Sequence, residues 1–245
     1  MIKIENLNKA FGKRPVLKGV SVEFEPHQVV AVIGPNASGK TTLIKCLLGL
    51  VIPDNGQMFF NNEPITASGA YRKNIGYMPQ IGHYPDHLTI KNLFSMMDDI
   101  RKDPLSILAF DEDLNDQFQL NDIENKAMHT LSGGTKQKVG AALAFRYDPS
   151  VIILDEPTAG LDPLASEILT DKIKYEHEKG KLILITSHVL SDLDDLATHV
   201  LYLQEGQIQF FKPLETLQDE TGERKLGRIL AHIMKKDKFK LELGC

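Results

Sequence analysis

The 245-residue chain contains no tryptophan, and aromatics make up only 7% of it. Cysteine is almost absent as well. Cys46 falls in the apolar helical stretch 43–50 and reads as a buried small residue, and Cys245 ends the sequence. Two such cysteines give no disulfide framework and no zinc spacing, so a reducing compartment is expected. Long apolar runs are lacking too. The most apolar one, "LIKCLLGLVI", is broken by Lys45 and is too short to cross a bilayer. The opening "MIKIENL" reads directly as a strand, with no signal peptide ahead of it. Nor is there an excess of positive charge. The formal net charge is −5, which argues against a general nucleic-acid partner.

What is present is a set of short strands and one glycine-rich loop. "VSVEF" alternates like "MIKIENL", and the two suggest a small antiparallel sheet. "PDNG" at 53–56 reads as a turn, "QMFFNNEPI" as a strand and hairpin, and "NIGYMPQ" as another short strand. "VIILD" at 151–155 and "LILITSH" at 182–188 are apolar runs of buried parallel strands, and "HVLYLQEGQIQFF" is a hairpin turning at Glu205-Gly206. Between 81 and 130 the texture is polar and helical. Thr89 there is a helix N-cap, and Ile90, Leu93, Phe94 and Met97 share one face. "FDEDLNDQF" reads as a solvated acidic surface. A last helix over "RKLGRILAHIMKK" carries the stripe Leu226, Ile229, Leu230, Ile233 and Met234.

The chemistry begins at "GPNASGKTT", directly after the apolar run 29–33. In G-x-x-x-x-G-K-T a loop can turn backbone N–H groups onto phosphates. The helix N-terminus adds positive potential, Lys40 a mobile charge and Thr41 a magnesium ligand. "VIILDEPT" sets Asp155 and Glu156 at the C-terminal end of a buried strand, where open α/β sheets place their ligands. One carboxylate there can help hold magnesium; the other can orient an attacking water or accept its proton. "LSGGTKQKV" is a second helix start, opened by Ser132 and two glycines, that can face an anion.

In their order, "GPNASGKTT", "MPQ", "LSGGTKQKV", "VIILDEPTAGLDP" and "ITSH" resemble the nucleotide-binding subunit of an ATP-binding cassette (ABC) transporter over nearly the whole chain. The resemblance implies an α/β P-loop ATPase core over 1–80 and 131–245, with an N-terminal antiparallel β subdomain. A helical subdomain over 81–130 is inserted in it. ATP and Mg2+ are the implied cofactors. Gly34, Pro35, Asn36, Ala37, Ser38, Gly39, Lys40, Thr41 and Thr42 form the phosphate loop, with Lys40 on the β/γ-phosphates. Thr41, Gln80 and Asp155 serve the metal, and Gln80 also reaches the attacking water and reports to the membrane partner. Glu156 is the catalytic carboxylate, His188 lies near the γ-phosphate, and Phe11 stacks on adenine. Ser132, Gly133 and Gly134 form the signature, and Asp162 follows as the residue of the next loop. Asp162-Pro163 is also a good helix N-cap with proline at the first helical position.

Two positions depart from the family pattern. Ala37 stands where glycine is usual, which is tolerable if its backbone is not left-handed. Thr135 follows the signature where glutamine is commoner.

The implied mechanism is a head-to-tail homodimer with each ATP between one phosphate loop and the opposite signature, driving a separate integral membrane permease. That places the chain in the cytoplasm, peripheral on the inner membrane. The permease is expected to dock near Gln80 and 81–97, with Tyr84, Leu88, Phe94 and Met97 as apolar candidates. Tandem ribosome-acting cassettes and coiled-coil chromosome ATPases do not fit one phosphate loop and one signature separated by a short segment. A GTPase does not fit either: the Asn-Lys pairs at 8–9 and 125–126 lack the following acid. A soluble cofactor-assembly ATPase stays open. The wording between motifs, "IGYMPQIGHYPDHLTIKNLF" and "TGERKLGRILAHIM" among it, resembles the ATPase of the nitrous-oxide-reductase maturation system. The alternative is an ABC-2-type exporter of drug, lipid or polysaccharide. Copper itself is not expected on this chain, because Pro85 interrupts the i, i+4 pair His83 and His87. His27, His177, His199 and His232 show no ligand spacing.

Overall fold

Alternate residues of the run at 29–33 feed two different cores. Val29, Ala31 and Ile33 join one apolar cluster, and Val30 and Val32 the other. The same division holds along 151–154 and 182–185. A strand buried on both faces has no polar side to show, which is why these runs are continuously apolar. The structure, a computed structural model, describes residues 1–66, 69–101 and 110–242, with side chains of the final helix described through 235. Cys245 and positions 102–109 of the expected helical segment lie outside it.

Along the chain, β1 (Ile2–Phe11) and β2 (Arg14–Phe24) precede β3 (Val29–Ile33) and α1 (Lys40–Leu47). Next come β4 (Asn55–Phe60), β5 (Glu63–Pro64), β6 (Ile75–Met78), α2 (Ile90–Arg101), α3 (Asp113–Gln117) and α4 (Gly133–Phe145). The second half holds β7 (Val151–Asp155), α5 (Pro163–Glu178), β8 (Leu182–Thr186), β9 (His199–Gln204), β10 (Gln207–Pro213), α6 (Leu214–Thr221) and α7 (Leu226–Glu242). One sheet has the order β2-β1-β4-β5 and is antiparallel. The other runs β10-β9-β3-β8-β7-β6, parallel from β9 to β6, with β10 antiparallel at its edge. The expected P-loop α/β fold with an N-terminal antiparallel subdomain is therefore present. Among the described residues no helix is long and apolar enough to cross a membrane.

Thr89 caps α2 as its sequence suggests, accepting from Asn92 N at 3.1 Å. Glu112, Asp113 and Asp116 of the acidic stretch are exposed, as expected, but other residues of it are not. Leu114 and Phe118 are buried in the same cluster as α4 and β7. Asp111 pairs at 2.6 Å with Lys172, a nearly fully buried lysine of α5 that is 3.2 Å from the fully buried Glu176. Asp111, and Asp113 at 3.3 Å, thus help to neutralise a buried lysine. Met234 also leaves the expected stripe: Leu226, Ile229 and Leu230 are buried, but Met234 is 47% exposed.

Arg146, following α4, joins this segment to the rest. Its guanidinium is buried, donates to both Asp98 oxygens at 2.8 and 2.9 Å, and lies over the Phe94 and Phe110 rings. Such a planar, bidentate and stacked site suits arginine alone. Arg146→Ala is expected to cost about 3 kcal/mol, the usual loss when one partner of a buried pair is removed. Urea denaturation checks this, and a loss under about 1 kcal/mol would show that the pair does not hold the segment.

Candidate functional site

The C-terminal ends of β3, β7 and β8 converge on a cleft of about 710 Å3. Its lining includes Phe11, Asn36 to Thr42, Gln80, Asp155, Glu156 and His188. Parallel strands deliver these residues, Phe11 apart, together because each strand ends at the same edge of the sheet. Phe11, at the tip of β1, is 53% exposed at the cleft, so it is no part of the strand core. Arg14, Val16 and Lys18 of β2 line the same side.

The loop from Gly34 to Gly39 leaves β3 and enters α1 without a side-chain cap and without an acidic residue in the first turn. The early N–H groups of that helix are thus left for an anion. Close packing fixes the loop. A Cβ at Gly34 would lie 2.0 Å from the Leu203 carbonyl oxygen. Ala37 has φ +61° and is left-handed, against the condition set for it by sequence. The turn demands that conformation, and alanine adopts it at a cost of about 1 kcal/mol while the loop stays intact. Lys40 is buried and donates to the carbonyls of Gly34 at 2.7 Å and Pro35 at 3.1 Å. Burial pulls its ammonium below the usual lysine value; Glu156 and Asp155 oppose this. Ser38 Oγ is buried with no hydrogen-bond partner. An uncapped helix start, a buried hydroxyl with nothing to bond and a curled-in lysine fit a polyphosphate.

Asp155 and Glu156 are buried at the end of β7. Thr186 Oγ1 donates to Asp155 Oδ1 at 2.5 Å. Glu156 is also left-handed, with φ +55°. Its N–H points at Thr186 O and Oγ1, both at 3.1 Å, and its carbonyl receives Gln137 Nε2 at 3.4 Å. Its carboxylate accepts from His188 N at 3.0 Å and lies 3.4 Å from His188 Nε2. Two carboxylates set apart by fixed donors, beside a phosphate-sized loop, can hold a hydrated divalent cation and take a proton from water.

Ser132, Gly133, Gly134 and Asp162 do not line this cleft. Ser132 caps α4, its hydroxyl accepting from Thr135 N at 3.2 Å, and both Ser132 and Gly133 are exposed. Asp162 caps α5 through Ala165 N at 2.9 Å, with Pro163 at the first turn. Lys138 of α4 bonds Asp162 at 2.8 Å and holds its carboxyl below the usual range. A Cβ at Gly134 would meet the Gly160 carbonyl at 2.6 Å. The signature helix and the loop after Glu156 are therefore one packed unit. Gly34 and Pro35 face Lys40 through their carbonyls.

Thr186 and Gln137 escape a reading of motifs. The one available signal for Thr186 is its hydroxyl at the end of an otherwise apolar strand, "LILIT". No helix joins His83 to His87, which flank Pro85 in an open segment.

The pattern of the family described as ABC transporter matches residues 17–159, more than half of the chain. The Nod factor export ATP-binding protein I of Cupriavidus metallidurans is 32% identical over 228 residues, covering 91% of this chain and 74% of its own. The arginine transport ATP-binding protein ArtM of Bacillus subtilis is 34% identical over 214 residues, covering 85% of this chain and 89% of its own. A solved ATP-binding subunit of an ABC transporter superposes with a TM-score of 0.86 at 26% identity, covering 96% and 99% of the two chains. With that match lying across the phosphate loop, Gln80, the signature and the Asp155–Glu156 strand end, the chain belongs to the ABC transporter family as an ATP-binding subunit, an ATPase.

Proposed function

We propose that two copies of this chain close head-to-tail on ATP and drive a separate integral membrane permease. The observation that carries the proposal is the split of the site. Phe11, the loop, Gln80, Asp155, Glu156 and His188 gather at one cleft, while Ser132 and Gly133 stand exposed away from it. A second copy supplies what the first lacks. In this reading Phe11 stacks on adenine, and the N–H groups of 36–42 with Lys40 hold the phosphates. Thr41, Gln80 and Asp155 serve a magnesium ion, which when bound neutralises phosphate charge. Glu156 takes the proton of the attacking water, with His188 fixing its carboxylate. The opposite Ser132, Gly133 and Gly134 complete the phosphate cage, and Asp162 moves with them. Closing and opening of the pair is the mechanical step.

Residues 1–80 and 131–245 act as the ATPase core and 81–130 as the helical subdomain facing the permease. Among the docking candidates, Phe94 is buried and Tyr84, Leu88 and Met97 pack partly on the core. Ile81 and Ile100, 66% and 67% exposed, take their place.

The relatives named above are proteins of Nod factor export and of arginine transport. The motor is common to these cargoes, and the partner selects among them. The stretches between motifs favour the nitrous-oxide-reductase maturation system over an ABC-2-type exporter. A host strain lacking this chain is expected to make nitrous-oxide reductase without its copper absorption bands. The wild-type chain restores them, and the Lys40→Ala variant does not. Full copper loading in the deletion strain would remove this cargo.

A further inference from the structure

Thr186 is the last residue of β8, almost fully buried, and its neighbour in the parallel register is Asp155. A buried hydroxyl must be partnered, and this one is partnered twice. It has one proton. The Glu156 N–H can only donate, so at 3.1 Å it takes a lone pair of the Thr186 oxygen. The hydroxyl proton is thereby committed to Asp155 Oδ1, at 2.5 Å.

Two consequences follow. Asp155 is held in one orientation with Oδ1 engaged, and its other oxygen is the one left for a ligand. Glu156 is held in a left-handed conformation that non-glycine residues adopt only at a cost; its N–H is gripped by both oxygens of Thr186. The strand end continues into His188, whose N–H holds the Glu156 carboxylate.

We infer that Thr186 is a positioning residue of the ATPase: one buried hydroxyl sets the Asp155 carboxylate toward the metal and locks the peptide that presents Glu156. The inference rests on the metal and base roles proposed above for Asp155 and Glu156. Thr186→Val keeps the shape and the strand preference and removes only the hydroxyl; Thr186→Ser keeps the hydroxyl. Mn2+ binding to the ADP-loaded chain, read by electron paramagnetic resonance, reports on Asp155 without turnover. Steady-state ATP hydrolysis reports on Glu156.

A hydrogen bond to a charged group corresponds to about ten- to a hundredfold in an equilibrium or rate. Thr186→Val is therefore expected to weaken Mn2+ binding about tenfold and to lower kcat about ten- to a hundredfold, with KM for ATP within about twofold. Thr186→Ser should return both to within about threefold of wild type. If the valine variant loses its fold by circular dichroism, Thr186→Ala replaces it under the same expectations. Wild-type Mn2+ affinity and kcat in a folded hydroxyl-less variant overturn the inference, as does a serine variant no better than valine. Asp155→Asn separates the layers. If it leaves Mn2+ binding unchanged, the metal role of Asp155 is wrong; if it weakens binding while Thr186→Val does not, only the positioning role of Thr186 falls.

Discussion

Lys40→Ala is expected to abolish measurable ATP hydrolysis, a fall of at least about a hundred- to a thousandfold of the kind seen when one preorganised electrostatic contact is lost. Lys40 is the buried cation of the cleft, and its amine reaches back over the loop to the Gly34 and Pro35 carbonyls. Two backbone carbonyls are weak partners for a buried ammonium. Its lowered pKa expresses that discomfort, with burial as the leading cause. A polyphosphate offers the full counter-charge that the carbonyls do not, so the lysine is set up for an anion and is poorly served without one. The same reasoning predicts that the alanine variant stays folded, because the change removes a poorly solvated charge and breaks no ion pair. The checks are turnover beside wild type under identical conditions and a thermal melt of both. Wild-type turnover in the variant would remove the loop from the phosphate site.

Much of this arrangement is legible in the residue order because it rests on local rules. Continuous apolar runs marked the doubly buried strands, Glu205-Gly206 marked a hairpin turn, and Thr89 and Asp162 marked helix starts. Each signal lies within a few residues of what it controls. What stayed hidden depends on partners far away in sequence. The left-handed backbone at Ala37 lies in a loop whose glycines at 34 and 39 pack against Leu203, and nothing in the alanine announces it. Asp111 looks solvated in the sequence because Lys172, the buried charge it pairs with, lies on another helix. Thr186 looked like one more strand residue because its partners sit on the neighbouring strand. The exposure of Ser132 away from the cleft is a property of the whole fold. It shows in neither the tetrapeptide nor its helix.

Glu156→Gln should separate binding from hydrolysis and make the dimer visible. Glutamine has the shape of glutamate and still presents a carbonyl oxygen to the His188 N–H that now bonds Glu156 Oε2 at 3.0 Å. It cannot accept a proton from water. Loss of a general base costs about a hundred- to ten-thousandfold in rate, while the loop, Lys40 and Phe11, proposed above to hold the nucleotide, are untouched. ATP bound and not consumed keeps both halves of the composite site engaged. Size-exclusion chromatography with ATP and Mg2+ should therefore show the variant at twice the monomer mass, returning to monomer when nucleotide is removed. Adding Ser132→Arg should abolish that dimer. Ser132 is exposed and lies outside its own chain's cleft, so an arginine has solvent to occupy in the monomer. The monomer loses the cap on Thr135 N, about 1 kcal/mol, and a hydrogen bond with the Thr135 hydroxyl at 2.8 Å. In a head-to-tail pair the same side chain would stand where the opposite phosphates must be. A double variant that binds ATP as tightly as one copy allows, yet elutes as a monomer, is the result expected of a site shared between two chains. A Glu156→Gln protein that stays monomeric with ATP, or a double variant that still dimerises, would mean that the nucleotide is not the joint between them.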